Sequence, residues 1–285
     1  MAALVAVADL GSVRAAAQAL HITPPAVSAS IGALETGFGA ELLTREGRGV
    51  RLTDAGLTVA DYARSVLGLL DEARSAVRSA DGGTLRIGAV ATAAEVVLPR
   101  LMASWVAAHP GGTLSLDVGP RDELTARARH HELDLVVAGR PPAASGLTAW
   151  ARRANTLLVV AAPGASRDVE ASRWLLRETG SGTREATVGL LDRLGLRVDR
   201  LTLGTQGAVV AACVAGLGLT LVHADAVAGQ LRDGTLEVVP VRGTPIDRPW
   251  YLSAHPRPTP ATRAFIAHVT GDAAGEDAFV RARAR

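Results

Sequence analysis

Apolar positions recur along this chain with two different periods, and the change falls near residue 84. Before it the spacing is helical. Val27, Ile31 and Leu34 sit at i, i+4 and i+7, one face of a helix. Upstream, Ser12 stands in an N-cap position before a segment running to Leu20, whose small Ala16 and Ala17 let a neighbouring helix come close. Val59, Ala63, Val66, Leu70, Ala73 and Val77 step by four and three, the seam of a long helix that needs a partner. Thr53 and Asp54 mark its start, a capping oxygen followed by negative charge in the first turn. The paired glycines of "SADGGT" then close the helical zone with a linker.

Beyond that point the apolar runs shorten. "TLRIGAV", "TLSLDVG", "LDLVVAG", "TLLVVAAP", "RLTLG", "LTLVH", "TLEVVPV" and "WYLSAH" read as strands. Between several of them lie helical stretches such as "PRLMASWVAAHP", "DELTARARHH", "TREATVGLLDRLG" and "TQGAVVAACVAGLG". Strands alternating with helices predict an α/β domain with largely parallel pairing. Two halves are expected, with a crossing near residues 150–160 and a return near 250–256. The predicted units are residues 1–58, a linker helix and hinge over 59–82, and a domain over 83–285. Within the last, the first lobe is set at about 83–155 and 256–271, the second at about 156–255.

The segment "AAAQALHITPPAVSASIGALE" places two prolines between helical stretches. Thr23 offers an N-cap oxygen, Pro24 takes the first helical position, and Pro25 still lies in the first turn, where amides lack intrahelical partners. The prolines therefore begin a helix. Two helices joined by the short "HI" connection form a helix-turn-helix, whose second helix is shaped to enter a DNA major groove. The following "LLTREGRGVRLT" reads as a β-hairpin wing, with Arg45, Arg48 and Arg51 spaced to meet phosphates. On the second helix Pro24 lies on the candidate DNA surface. Thr23, Ser28 and Ser30 offer polar contacts, while Pro25 and Ala29 could meet a thymine methyl. Taken alone, the pattern also fits a small helical core with an ordinary basic turn.

Composition narrows the picture. A chain of 285 residues with 48% hydrophobic and 20% charged residues has ample material for two or three cored units. Its net charge of +2 is too small to name a partner. The lone Cys213 rules out a disulfide framework and a multi-cysteine zinc site, and a small buried role is expected for it. The start "MAALVAVADLGS" lacks a basic n-region and is interrupted by Asp9, so it is not read as a signal peptide. No run reaches the roughly 18 apolar residues of a membrane span. A cytoplasmic location and no membrane partner are expected.

Several loops carry candidate ligand groups. "RETGSGTRE" runs into a helix, with Ser181, Gly182 and Thr183 at a helix N-terminus suited to an anion. Thr92 and Ala93 follow the first strand of the domain, with Thr92 as a candidate helix cap. Arg140 ends another strand, where open α/β sheets place ligands, and Thr205 with Gln206 opens a further helix. Together they point to a small anion such as a carboxylate, sulfate or phosphorylated metabolite. "RETGSGTRE" matches neither a nucleophile elbow nor a phosphate-binding glycine fingerprint. The adjacent His130 and His131 diverge by about 100° on a helix and are expected as solvated surface residues. No catalytic set, metal site or cofactor is predicted.

The order of parts resembles the LysR-type transcriptional regulators across nearly the whole chain. The resemblance is carried by "VAVADLGSVRAAAQALHITPPAVSASIGALE", "ELLTREGRGVRLTDAG", "LRIGAV", "LDLVVAGRPP", "RETGSGTRE" and "VAGLGLTLVHADAV". It implies a winged helix-turn-helix, a dimerising linker helix and a two-lobed α/β effector domain like those of periplasmic solute receptors. It also implies double-stranded promoter DNA and a small anionic effector as partners, with a homodimer or tetramer as the working form. The family's effector cleft maps onto the loops named above. This chain departs from the pattern in the recognition helix, where Pro24, Ala29, Ser30 and Gly32 stand where relatives often carry long polar side chains. Arg14, Arg45, Arg48 and Arg51 are balanced over residues 1–52 by Asp9, Glu35, Glu41 and Glu46. The competing readings are a solute-binding protein of a transport system and an α/β enzyme with an accessory N-terminal domain.

Overall fold

The computed structural model describes residues 1–47, 49–78, 84–271, 274–275 and 278–282. Three helices open the chain: α1 (Ala2–Leu10), α2 (Val13–Ala19) and α3 (Pro24–Phe38). The Ser12 hydroxyl caps α2 by accepting from the Ala15 amide at 3.3 Å, and Thr23 caps α3 by accepting from Ala26 at 3.4 Å. Both prolines occupy the first turn of α3, where they forfeit no helical hydrogen bond. Strands β1 (Leu43–Glu46) and β2 (Gly49–Leu52) pair antiparallel as the wing. Glu35 of α3 holds the wing's base, accepting from the Leu42 and Leu43 amides at 2.8 and 3.2 Å. Leu4, Val7, Ala16, Ala17, Val27, Ile31, Leu42, Leu52 and Ala60 close one core. Among the described residues no single helix is long and apolar enough to cross a membrane; α1 and α2 pass that test only as a bent pair, and their buried residues belong to this core.

Helix α4 (Asp54–Arg78) starts at Thr53, whose hydroxyl accepts from Gly56 at 2.9 Å and donates to the Glu41 carbonyl at 2.7 Å. Its apolar seam is divided between two surroundings. Ala63 is buried, and Val59 is half-buried and packed against the winged-helix core, whereas Val66, Leu70, Ala73 and Val77 are exposed. Tyr62 at 71% and Leu69 at 47% exposure belong to the same free face.

The first lobe opens with β3 (Thr84–Ala89), α5 (Ala91–Val96), α6 (Leu98–Ala108), β4 (Thr113–Val118), α7 (Arg121–Arg129), β5 (Leu135–Ala138) and β6 (Thr148–Arg153). The chain crosses at residues 154–155 into the second lobe. That lobe holds β7 (Thr156–Ala161), β8 (Trp174–Leu176), α8 (Gly182–Leu194), β9 (Arg200–Thr202), α9 (Gln206–Val214) and β10 (Thr220–His223). It continues through α10 (Ala224–Arg232), β11 (Glu237–Val238) and β12 (Ile246–Asp247). The return brings β13 (Trp250–Ala254), α11 (Pro260–Val269) and β14 (Val280–Arg281) to the first lobe.

The first sheet has the order β14-β6-β13-β5-β3-β4. Two expectations are corrected by it. Residues 250–254, assigned from sequence to the second lobe, lie in the first, because this fully buried strand fills the gap between β5 and β6. Pairing is also not largely parallel. Among the described strands, β3–β4, β3–β5 and β8–β9 are parallel, while β13 and β7 run antiparallel to every strand they meet. Strands entering from the other lobe arrive in the reverse direction, which local alternation of strand and helix does not reveal.

His130 and His131 are likewise not solvated; they are 6% and 9% exposed and clamp the end of α7 to the linker helix. His130 Nε2 lies 2.7 Å from Asp61, which also accepts from Arg129 at 2.8 Å, and His131 Nδ1 lies 2.6 Å from Glu72. Between these pairs, a Cβ on Gly68 would fall 1.9 Å from the His130 carbonyl oxygen. Positions 61, 68 and 72 share a helical face, so α4 touches the first lobe along one stripe. Gly68→Ala is therefore expected to destabilise the protein by about 1–3 kcal/mol despite the better helix propensity of alanine. Gly229→Ala in α10, where a Cβ meets nothing within 4 Å, is expected to stabilise by about 0.5–1 kcal/mol. Urea denaturation of both variants checks the contrast, and a stabilising Gly68→Ala would refute the close contact.

Candidate functional site

Between the lobes lies a cleft of about 490 Å³, within the ordinary size of a small-molecule site. Its first-lobe wall is made by Val90–Thr92 after β3, Val118–Asp122 after β4 and Gly139 after β5. Its second-lobe wall is made by Arg177–Thr183 and Glu185 after β8, with His223 at the end of β10. Arg248, Pro249 and Trp250 close it at the return crossing. The β3, β4, β5, β8 and β10 loops all leave the carboxyl ends of their strands, where parallel segments direct loops and helix N-termini toward a ligand.

Three arginines reach this space in different states. Arg177 is only 5% exposed and is fully engaged. Its Nε and Nη2 donate to the two Glu178 oxygens at 2.7 Å each, and Nη1 donates to Gln206 Oε1 at 3.2 Å. The hydrogen bond from Arg177 holds the Glu178 carboxyl below the usual range, against the opposing effect of burial. Arg121 pairs with Asp122 at 3.0 Å. Arg248 differs: among the described residues its guanidinium has no carboxylate partner, and a Cβ on Gly182 would meet its Nη2 at 3.0 Å. An unpaired cation thus stands beside the first turn of the 13-residue α8. The cap residue Ser181 makes no side-chain capping bond and is among the residues lining the cleft.

Behind the cleft, the two crossings are tied together. Asp225 accepts from Arg153 at 2.5 Å and from Trp250 Nε1 at 3.0 Å. His223 stacks on Trp250 with ring centroids 4.4 Å apart, and its Nδ1 accepts from Asn155 Nδ2 at 2.5 Å. Burial, then the nearby Arg248 charge, pushes the imidazole down to about 4. Asn155 Oδ1 and Gln206 Nε2 are buried without a hydrogen-bond partner among the described residues.

The residues singled out from sequence separate into two groups. Thr92, Ser181, Gly182 and Thr183 line the cleft. Thr92 lies inside the first turn of α5, however, and the cap position belongs to Val90, which has no side chain able to cap. Ala93, Arg140, Thr205 and Gln206 are not among the lining residues. Ala93 is packed in the first-lobe core. Arg140 lies over the Tyr251 ring, 5.2 Å from its centroid, and donates to the Tyr251 hydroxyl at 3.2 Å. The exposed Thr205 is occupied in capping α9, accepting from Ala208 at 3.1 Å, while buried Gln206 stands behind Arg177. Reading from sequence missed Arg121, Arg177, His223 and Arg248 as cleft residues. Arg177 heads the "RETGSGTRE" loop and Arg248 precedes Pro249, but neither position reveals by itself that the two converge.

At the other end of the molecule, Thr23, Pro24, Pro25, Ser28, Ala29 and Ser30 are all exposed on α3. Arg45 and Arg51 are exposed on the wing, with Arg51 3.7 Å from Glu46. Arg48 lies outside the described residues. Among the described residues no group of three or more His, Cys, Asp or Glu side chains is placed to hold a metal ion. Cys213 is buried against the Val160 and Gly218 carbonyls at 3.4 Å, and burial pushes its thiol up to about 11, which leaves it unreactive near neutrality.

Two family models match: "Bacterial regulatory helix-turn-helix protein, lysR family" over residues 1–57, and "LysR substrate binding domain" over residues 78–274. The chain is 32% identical over 279 residues to the RuBisCO operon transcriptional regulator of Acidithiobacillus ferrooxidans, covering 93% of this chain and 90% of that protein. Among solved structures it resembles ArgP from Mycobacterium tuberculosis, with a TM-score of 0.72, 23% identity and 96% of each chain covered. It also resembles the CcmR regulatory domain of Synechocystis PCC6803 in complex with 2-PG, with a TM-score of 0.57 and 24% identity, covering 65% of this chain and 94% of that one.

The buried His223 makes stability depend on pH in a definite direction. Above about pH 6.5 the ring is neutral in both folded and unfolded chains. As pH falls, the unfolded chain gains the proton first and the folded ring resists until about 4, so stability declines across that window. The gap corresponds to roughly 3 kcal/mol. Urea titrations at successive pH values are expected to show this decline, and His223→Gln is expected to flatten it. A wild-type slope in that variant would mean that the ring titrates normally.

Proposed function

The chain belongs to the LysR family of transcriptional regulators, and on that footing we propose that it binds promoter DNA as a homodimer or tetramer in the cytoplasm and responds to a small anionic metabolite held between its lobes. Its relatives are named as regulators of transcription and not as enzymes. The carrying observation for the effector is Arg248, a cation without a carboxylate partner among the described residues, beside Ser181 and Thr183 at the start of α8. Such an arrangement favours an anion by unpaired amides, hydroxyl donors and net positive charge together.

For DNA, α3 offers Thr23, Ser28 and Ser30 as hydroxyl donors, and Pro24, Pro25 and Ala29 as small apolar contacts. Arg45 and Arg51 on the wing, with Arg48 between them in sequence, supply phosphate contacts. Short side chains leave room for close approach but few base-edge hydrogen bonds, so DNA shape carries much of the recognition. The free face of α4, from Tyr62 through Val66, Leu69, Leu70 and Ala73 to Val77, is the surface for a second copy. An effector acts through its differential affinity for two lobe arrangements. Because α4 is clamped to the first lobe at His130 and His131, a change in lobe angle would alter the spacing of the two recognition helices.

Two measurements test this reading. Leu70→Glu would place a charge in the dimer seam and is expected to yield monomers with weak promoter binding; unchanged sedimentation would exclude this face. For the cleft, the Ser181→Ala, Thr183→Ala double variant and Arg248→Gln are each titrated with inorganic sulfate and with 2-PG, the compound seen with CcmR. Loss of hydrogen bonds to a charged group is worth roughly 1.5–3 kcal/mol, so affinity is expected to fall about ten- to a hundredfold while ligand-free DNA binding persists. Undiminished affinity in both variants would place the effector elsewhere.

A further inference from the structure

His223 lines the cleft at the end of β10, only 5% exposed, with Trp250 stacked on its ring. An amide nitrogen can only donate, so the contact from Asn155 Nδ2 at 2.5 Å makes His223 Nδ1 the acceptor. The neutral ring therefore carries its hydrogen on Nε2. Asn155 keeps a second, unused capability. Its Oδ1 is buried without a partner among the described residues, and turning the same amide over would present that oxygen to an Nδ1–H. Asn155 is thus suited to either charge state of the ring, and in the ligand-free protein it holds the neutral one with an acceptor left over.

Burial comes first in keeping the ring neutral, and the charges around it add to that and are what a ligand would change. Arg248 faces it from the return crossing and Arg177 from the loop before α8; both oppose a positive ring. Asp225 on α10 favours one, but it is engaged by Arg153 and Trp250. Glu178 is taken up by Arg177, and across the cleft Arg121 and Asp122 pair with each other. These charges add to burial, which is the largest effect holding the ring neutral. An anion seated among Arg177, Arg248 and Ser181 would cancel their repulsion and leave the ring facing a negative charge.

We propose that His223 is a ligand-binding residue of the cleft that takes one proton from solvent as an anionic effector arrives, with the Asn155 amide turning so that Oδ1 accepts from Nδ1–H while Nε2–H donates to the anion. The inference rests on the anion-cleft reading given above. It makes effector binding and proton uptake one event. It also places the resulting imidazolium at the junction of the two crossings, where lobe closure is decided.

Inorganic sulfate is the probe, because its charge does not change between about pH 5 and about pH 8, where histidine titrates. Calorimetry of the full-length protein in two buffers of different ionisation heat is expected to show uptake of about 1 proton per sulfate bound. Sulfate affinity is expected to weaken by about tenfold per pH unit wherever the free ring is neutral and the bound ring charged. His223→Gln keeps a donor near the Nε2 position but cannot take a proton, and its sulfate affinity should lose this pH dependence. Asn155→Asp would charge the ring before the ligand arrives and should bring proton uptake towards zero. If His223→Gln does not fold, wild type and Asn155→Asp still decide the question. Sulfate binding by wild type without proton uptake, or an unchanged pH slope in His223→Gln, would overturn the role of His223 and leave the cleft standing. Absence of sulfate binding at every pH would overturn the cleft reading and this inference with it.

Discussion

The carboxylate of Asp225 on α10 ties together the two places where the chain crosses between the lobes, through Arg153 beside the first and Trp250 beside the return, and the rest of the effector domain is arranged around it. Asp225 also accepts from Trp250 Nε1, so one carboxylate holds the end of β6, the start of α10 and the start of β13 together. These side chains are largely shielded from solvent, and the pairing is correspondingly hard to replace with water. With the crossings tied, β7 and β13 have fixed directions relative to the strands they join. The cleft loops then face one another across a gap that neither lobe could form alone.

The same junction separates roles among the arginines. Arg153 and Arg177 are committed to carboxylates and shape the wall, whereas Arg248 has no carboxylate partner among the described residues. A site in which every cation is paired gains little from an anion. A site that adds a guanidinium unpaired among the described residues, hydroxyl groups and the start of a helix has a favourable place for it. The linker helix divides its surface in a comparable way. One side is spent on the winged-helix core at Ala60 and on the first lobe at Asp61, Gly68 and Glu72. Another stripe, with Leu70 at 50% and Val77 at 83% exposure, is left without an intramolecular partner among the described residues. A helix anchored on one side and apolar on the other both transmits lobe position and offers a surface to a second chain.

Much of the architecture was legible along the chain because its determinants are local. Ser12, Thr23 and Thr53 each cap a helix through an amide three residues away, a relation that sequence spacing states directly. The runs "TLRIGAV" and "TLLVVAAP" become strands because their apolar side chains cannot be buried in any other extended arrangement. Ser181, Gly182 and Thr183 reach the cleft because a strand followed by a glycine-rich turn and a helix points that turn at the carboxyl edge of its sheet. What local pattern could not reveal was the neighbour of each surface. His130 and His131 read as solvated until Asp61 and Glu72 met them, and Arg140 read as a ligand group until Tyr251 took its guanidinium.

By itself, then, the sequence determined where helices start, which runs become strands, and that a helix-turn-helix precedes a two-lobed domain. Each of these depends on hydrogen bonds and side-chain periods spanning a few residues. Only the tertiary structure decided which sheet receives Trp250–Ala254, which stripe of α4 stays free, and which charges meet in the cleft. Asn155 and His223 stand 68 residues apart and become hydrogen-bond partners because the chain crosses between the lobes and returns. The protonation of a buried ring is set by its solvation and by the charges packed around it, and those neighbours come together only when the lobes do.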